Sequence, residues 1–181
     1  LDLLEQYPGY TRGVQLLGVI SYLQGDNQLA SKYLSDSVDP EVANAMTTHI
    51  YAATNLKLNE PKKVLEILEP GIQKSKVPAT LALYGLAAIS DKQFIKGENA
   101  LVRALEFDPK NVRVRLALAG IYRSGPRADI NKEWSQLEKS YETDDKDKHV
   151  LKELVSYHLR HNGVDKASQF INEALSKNEN D

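Results

Sequence analysis

A large residue followed by a small one recurs along this chain at a nearly fixed distance. The pairs are Leu17-Gly18, Tyr51-Ala52, Tyr84-Gly85, Leu118-Ala119 and Leu154-Val155, the last with a larger second member, and their separations are 34, 33, 34 and 36 residues. A turn signal follows each pair: Gly25-Asp26, Asn59-Glu60-Pro61, Asp91-Lys92, Ser124-Gly125-Pro126 and Asn162-Gly163. After each turn comes a second amphipathic stretch with small residues of its own: Ala30 and Ser37, Gly71, Gly97 and Ala104, Ser140, then Ala167 and Ala174. Small side chains at fixed places are what closely crossing helices require. A constant period of this length predicts helical hairpins stacked in a row, with no strand. The competing reading is an ordinary all-α bundle with accidental spacing, but bundles do not usually hold their turns on such a period.

The pattern resembles the tetratricopeptide repeat, a helix–turn–helix unit of about 34 residues. Position 8 of the unit is small in four of five copies, and position 27 reads Ser37, Gly71, Ala104, Ser140 and Ala174. The family's tryptophan at position 4 is absent, and only Asp108-Pro109 fills the closing proline site well. Asp39-Pro40 comes early and predicts an early start for the following helix. The fourth copy carries an insertion near Ser124–Ile130 and places Glu133 where a small residue is expected, so its second helix is the weakest element of the pattern. The resemblance implies an all-α, right-handed solenoid of about five repeats, at 11–44, 45–77, 78–111, 112–147 and 148–181. Residues 1–10 look like the tail of a preceding repeat, with Pro8 near its closing site. Apolar Leu1, Leu3 and Leu4, without a polar capping helix, predict an array that continues in a longer protein. Uncovered apolar groups at Leu3 and Leu4, and at Phe170, Ile171 and Leu175, predict end-to-end self-association.

Little in the sequence points to chemistry. No GxSxG, P-loop or dinucleotide fingerprint occurs. Asp144-Asp145 sits among lysines as a solvated turn would. His158 and His161 are three apart on one helix, but no HExxH accompanies them, and a pair at a helix end is the simpler reading. There is no cysteine, hence no thiolate metal site. The expectation is a non-enzyme with no catalytic residue, metal or cofactor. A formal charge of −2 argues against a nucleic-acid partner. No apolar run reaches the ~18–20 residues that span a bilayer.

The resemblance places the partner, a protein or peptide segment, on a concave face lined by the first helices. The positions that face inward in the family fall on Gln15, Val19 and Tyr22, on His49, Ala53 and Leu56, on Ala82, Leu86 and Ile89, on Arg113, Leu116 and Arg123, and on Lys152. The middle of this set is apolar and the far end basic. From Asn111 to Ala128 there are four arginines, Arg113, Arg115, Arg123 and Arg127, and no acid. Arginine suits carboxylates because its fork bonds both oxygens, although a solvated helix face is the plainer reading. The family's clamp for C-terminal carboxylates needs Lys at position 5 and Asn at position 9 of one unit. No unit has both, since Lys152 is followed by Ser156 and Gln15 by Val19. An apolar segment fits the face better.

A narrower similarity lies in LLEQYPGY…LLGVISYLQGDNQLASKYL and YAATNLKLNEPKKVLEILEP. These phrases resemble the repeat lipoproteins associated with bacterial exosortase and PEP-CTERM systems. That resemblance implies a scaffold in envelope export or exopolysaccharide assembly, at the cell envelope or in the periplasm. The alternatives are a cytoplasmic location, and a regulatory module of a larger enzyme or transferase.

Overall fold

In the computed structural model, residues 10–35, 38 and 45–179 are described. Among them are ten helices and no strand, as the periodicity predicts: α1 Thr11–Leu23, α2 Asn27–Ser35, α3 Ala45–Lys57, α4 Pro61–Ile72, α5 Pro78–Ser90, α6 Phe94–Phe107, α7 Val112–Ser124, α8 Ile130–Thr143, α9 Lys148–His161 and α10 Gly163–Glu179. The expected repeat tail with Leu1, Leu3, Leu4 and Pro8, the small residue Ser37, and the early helix start at Asp39-Pro40 lie outside the described residues. The chain divides into two compact units, 1–107 and 108–181.

In the first unit α1/α2, α3/α4 and α5/α6 form hairpins, and three equivalent turns close them. The residue at the tip of each turn has positive φ: Gly25 at 83°, Asn59 at 58° and Lys92 at 62°. Only Gly enters that region without strain, and Asn tolerates it better than Lys. One residue on, a backbone N–H reaches back to the last turn of the first helix: Asp26 to Ser21 O at 2.9 Å, Glu60 to Asn55 O at 2.8 Å, Gln93 to Ala88 O at 2.7 Å. Each bond satisfies a carbonyl that the helix end would leave unpaired. The next helix then starts without delay, and Pro61 and Pro78 open α4 and α5 where a missing N–H costs nothing.

Within a hairpin the small residues set the approach. A Cβ at Gly18 would lie 2.6 Å from Leu34 Cδ2, and one at Gly85 would lie 2.7 Å from Leu101 Cδ2 and 3.1 Å from the Gly97 carbonyl oxygen. Ala30, Ala100 and Ala104 are buried beside them. Gly71 departs from the pattern: it is exposed, and a Cβ there would meet nothing within 4 Å. It stands one residue before the end of α4, where no neighbour approaches. Between hairpins, α2 packs on α3 and α4 on α5. Ser31 Oγ donates to Asn55 Oδ1 at 3.0 Å across the first of these junctions, and Asn55 Nδ2 donates to Tyr51 O.

The second unit holds α7/α8 and α9/α10. Three of its four helices start on side-chain caps: Asn111 accepts from Val114 N, Asp129 from Asn131 and Lys132 N, and Asp147 from His149 and Val150 N. The core is Ala119, Leu137, Val150, Leu154 and Tyr157, with Trp134, Tyr141 and Phe170 packed around it. The five residues between Ser124 and Ile130 lengthen the first turn, closed by Asp129 N to Tyr122 O at 2.8 Å.

Candidate protein-binding face

In the first unit α3 packs against both α1 and α5, so the three first helices lie side by side. Gln15, Val19 and Tyr22 on α1, His49, Ala53 and Leu56 on α3, and Ala82 and Ile89 on α5 are all half-buried, while Leu86 on α5 is exposed at 39 %. Two contacts tie the layer together. His49 Nε2 and Thr80 Oγ1 share a hydrogen bond of 2.5 Å across α3 and α5, and burial holds the imidazole pKa below its ordinary 6.5. Lys57 Nζ lies 4.4 Å from the centre of the Tyr22 ring, joining α3 to α1. Ile89 has a structural duty as well: its Cγ1 would stand 2.7 Å from a Cβ at Gly97, so it fills the α5–α6 crossing. α5, apolar nearly all round, is buried through Leu81, Tyr84, Gly85, Ala87 and Ala88 and leaves Leu86 outward.

The second unit carries the remaining positions. Arg113 on α7 and Lys152 on α9 are exposed. Leu116 is turned towards the core and packs against it. Arg123 is already engaged, its Nη1 lying 2.5 Å from Glu153 Oε2 on α9. Arg115 is anchored too, donating to Pro109 O and to Gln136 Oε1. Of the arginines that the sequence brings together between 111 and 128, then, Arg115 and Arg123 are held by neighbours within their own unit.

Sequence reasoning missed three features. First, α1 shows an exposed apolar stripe, Leu16, Ile20 and Leu23, next to the half-buried Gln15–Val19–Tyr22 row. The i, i+4, i+7 spacing of these residues was the available signal. Second, Glu133 is buried, 2 % exposed, and accepts from Arg160 Nη2 at 2.5 Å, with His161 Nε2 3.7 Å from its other oxygen. His158 and His161 are part of this assembly. His158 stacks edge-on with Trp134 at 5.6 Å, and His161 lies over Tyr157 at 4.7 Å. Third, α4, α5 and α6 enclose a groove of about 440 Å³ whose walls include Glu69, Tyr84, Lys96, Val102 and Arg103. Its charged groups face one another: the Tyr84 hydroxyl donates to the Glu69 carboxylate, which also pairs with Lys96 at 3.1 Å. These bonds hold the Glu69 carboxyl below its usual range, the tyrosine's being the larger cause. Arg103 donates to the Ile72, Gln73 and Ser75 carbonyls and so caps the end of α4.

Among the described residues no group of three His, Asp or Glu side chains could hold a metal ion, and no helix is long and apolar enough to cross a membrane. No protein-family model and no curated protein matches the chain. Solved structures do resemble it. A crystal structure of MamA protein superposes with a TM-score of 0.74 at 19% identity, over 93% of this chain and 92% of that one. MamA 41-end from Desulfovibrio magneticus RS-1 gives 0.66 at 20% identity, over 76% and 77%. TTC0263, a thermophilic TPR protein in Thermus thermophilus, gives 0.66 at 17% identity, over 92% and 90%. Ten helices among the described residues, those of the first unit paired through three equivalent turns and crossing at Gly18 and Gly85, and shared along nearly the whole length of the chain with such structures, give it the all-α fold of the tetratricopeptide-repeat proteins.

Proposed function

We propose that this chain is a protein-interaction scaffold without catalytic activity, and that the outward face of α1, α3 and α5 receives an apolar segment of a partner protein. The observation that carries this reading is Leu86. It is an exposed leucine in the middle of a helix that buries Leu81, Tyr84, Gly85, Ala87 and Ala88, with half-buried Ala82 and Ile89 one turn to either side, and α3, which packs against this helix, carries half-buried Ala53 and Leu56. Apolar surface with small neighbours is what a partner's side chain can enter, and such a centre supplies most of the affinity of an interface. In the second unit, exposed Arg113 and Lys152 offer positive charge to acidic groups of the partner. Arg123 can join them only by leaving Glu153. The finer reading, a scaffold of bacterial envelope export or exopolysaccharide assembly, is supported by the sequence resemblance in residues 3–34 and 51–70 alone.

The test uses a partner isolated from native lysate with the parent chain. Leu86→Glu is expected to weaken its binding by more than about 1.4 kcal/mol, tenfold in Kd. Val102→Glu, in the groove of α4–α6, is expected to leave binding unchanged. Equal binding by both variants and the parent would overturn the assignment of this face.

A further inference from the structure

A glycine inside a helix costs backbone entropy that an alanine does not, so each one calls for a reason. Gly18, Gly85 and Gly97 sit at helix crossings, where a Cβ would stand 2.6 or 2.7 Å from a neighbour, and Gly25 and Gly163 have positive φ. Gly120, in the middle of α7, has neither reason. Its φ is not positive, and a Cβ on it would meet nothing within 4 Å. It is the ninth residue of its helix, and the ninth residues of the other first helices are Val19, Ala53 and Leu86 in the first unit and Ser156 in the second. The second unit therefore leaves this row bare. α7 and α9 lie together there, since Ala119 shares a core with Val150 and Leu154 and Arg123 reaches Glu153. The charges of this unit are also sorted by layer. α7 and α9 carry six Lys or Arg and one acid, Glu153, whereas α8 and α10 carry six acids and four Lys. Arg113 and Lys152 are exposed and make no ion pair among the described residues. Arg113, Leu116, Gly120 and Arg123 share one face of α7 by their spacing.

We infer that α7 and α9 hold an acidic segment of a partner protein, its main chain lying on the bare helix backbone at Gly120 and its carboxylates reaching Arg113 and Lys152. This rests on the reading of the chain as an interaction scaffold, and it adds a contact of different chemistry to the apolar one at Leu86. The occupant is argued from charge and from shape. The layer is positive, and its one acid is already paired with Arg123, so an incoming carboxylate meets cations without a competing anion of α7 or α9. A glycine is what lets another backbone come close against a helix, and the missing side chain is then no defect but the space the segment fills. Exposed Arg113 and Lys152 orient the encounter, and the close contact at Gly120 sets how long the segment stays.

A display library of short random peptides, panned against the 181-residue chain, supplies the probe. Peptides rich in Asp and Glu are expected to be enriched and to bind less tightly as salt rises. Gly120→Leu fills the bare row and is expected to weaken the best of them about tenfold or more. Gly120→Ala is the sharper variant. It should raise the urea midpoint, because the helix gains and nothing is displaced, and still weaken the peptide. Gly71→Ala should raise the midpoint for the same reason and leave peptide binding unchanged. An enriched set without acidic character, or an affinity that survives Gly120→Leu, overturns the inference. A less stable Gly120→Ala chain also overturns it, because the glycine would then have a duty inside the fold. Single-stranded oligothymidylate that binds the parent more tightly than the peptides, and is lost in Gly120→Leu, would give the row to nucleic acid and overturn it as well. The peptide reads Gly120 and the isolated partner reads Leu86, so either contact can fail while the other stands.

Discussion

Gly85 and Gly97 face each other where α5 and α6 cross. A Cβ on the first would press on Leu101 and on the Gly97 carbonyl, and a Cβ on the second would stand 2.7 Å from Ile89 Cγ1 and 3.0 Å from the Gly85 carbonyl. Leucine at Gly85, or at fully buried Ala104, is expected to destabilise the fold by about 1–3 kcal/mol through overpacking, read as a shift of the urea midpoint. Gly71 has the opposite expectation. Nothing approaches it and its φ is not positive, so Gly71→Ala should stabilise by ~0.4–1 kcal/mol by restricting the unfolded chain. Close approach was legible at Gly18 and Gly85 because a large residue precedes each and the pair recurs. At Gly71 a small residue one step from a helix end carries no such information, since helix ends also favour glycine.

At the scale of the element, α8 was the helix whose pattern looked weakest, because the carboxylate of Glu133 stands where its counterparts have Ala30, Val64, Gly97 and Ala167. The missing information lay far along the chain, on the next helix. Arg160 on α9 reaches Glu133 with Nη2 and Ser156 with Nη1, so the buried carboxylate is both neutralised and hydrogen-bonded. Arg160→Ala would strand that charge in the interior and should cost about 1–3 kcal/mol, discounted because the arginine itself is partly solvated. Arg123→Ala removes a partly solvated pair with Glu153 and should cost ~0–1 kcal/mol. Chemical denaturation of the two variants side by side would separate these cases. The junction of α3 and α5 has its own pH signature. Burial depresses the His49 pKa in the folded state, so below 6.5 the unfolded chain takes up the proton first. Stability is therefore expected to fall as pH drops through about 6.5 and to level off below the depressed value. Burial lowers His158 as well, which adds in the same direction. His49→Gln should flatten part of the slope in denaturant titrations at about pH 7 and about pH 5, and an unchanged slope would place the titration elsewhere.

Over the whole molecule, the order of helices was legible because every signal that sets it is local: a turn tip, a proline at a helix start, a small residue at a crossing. Which side chains remain available to a partner was not legible, because that depends on what reaches them from other helices. Leu116 and Arg123 illustrate the difference. Both fall at places that face inward in tetratricopeptide repeats, yet the first packs into the core of its unit and the second is paired with Glu153 on α9. Arg113 is the cation of α7 left exposed at such a place. A surface charge of this kind acts on encounter more than on the lifetime of a complex, since it is felt at a distance and stays partly hydrated once the partner has docked. Arg113→Glu is therefore expected to slow association with an isolated partner about three- to tenfold at low salt while leaving dissociation nearly unchanged. The deficit should shrink as salt rises and the screening length falls from roughly 10 Å at 0.1 M to roughly 3 Å at 1 M. Leu86→Glu should show the reverse, a faster dissociation that salt does not repair. Stopped-flow or surface-binding kinetics at two salt concentrations distinguish them. If Arg113→Glu accelerated dissociation and left association alone, the arginine would belong to the buried centre of the contact, and the division of labour proposed for the two units would be wrong.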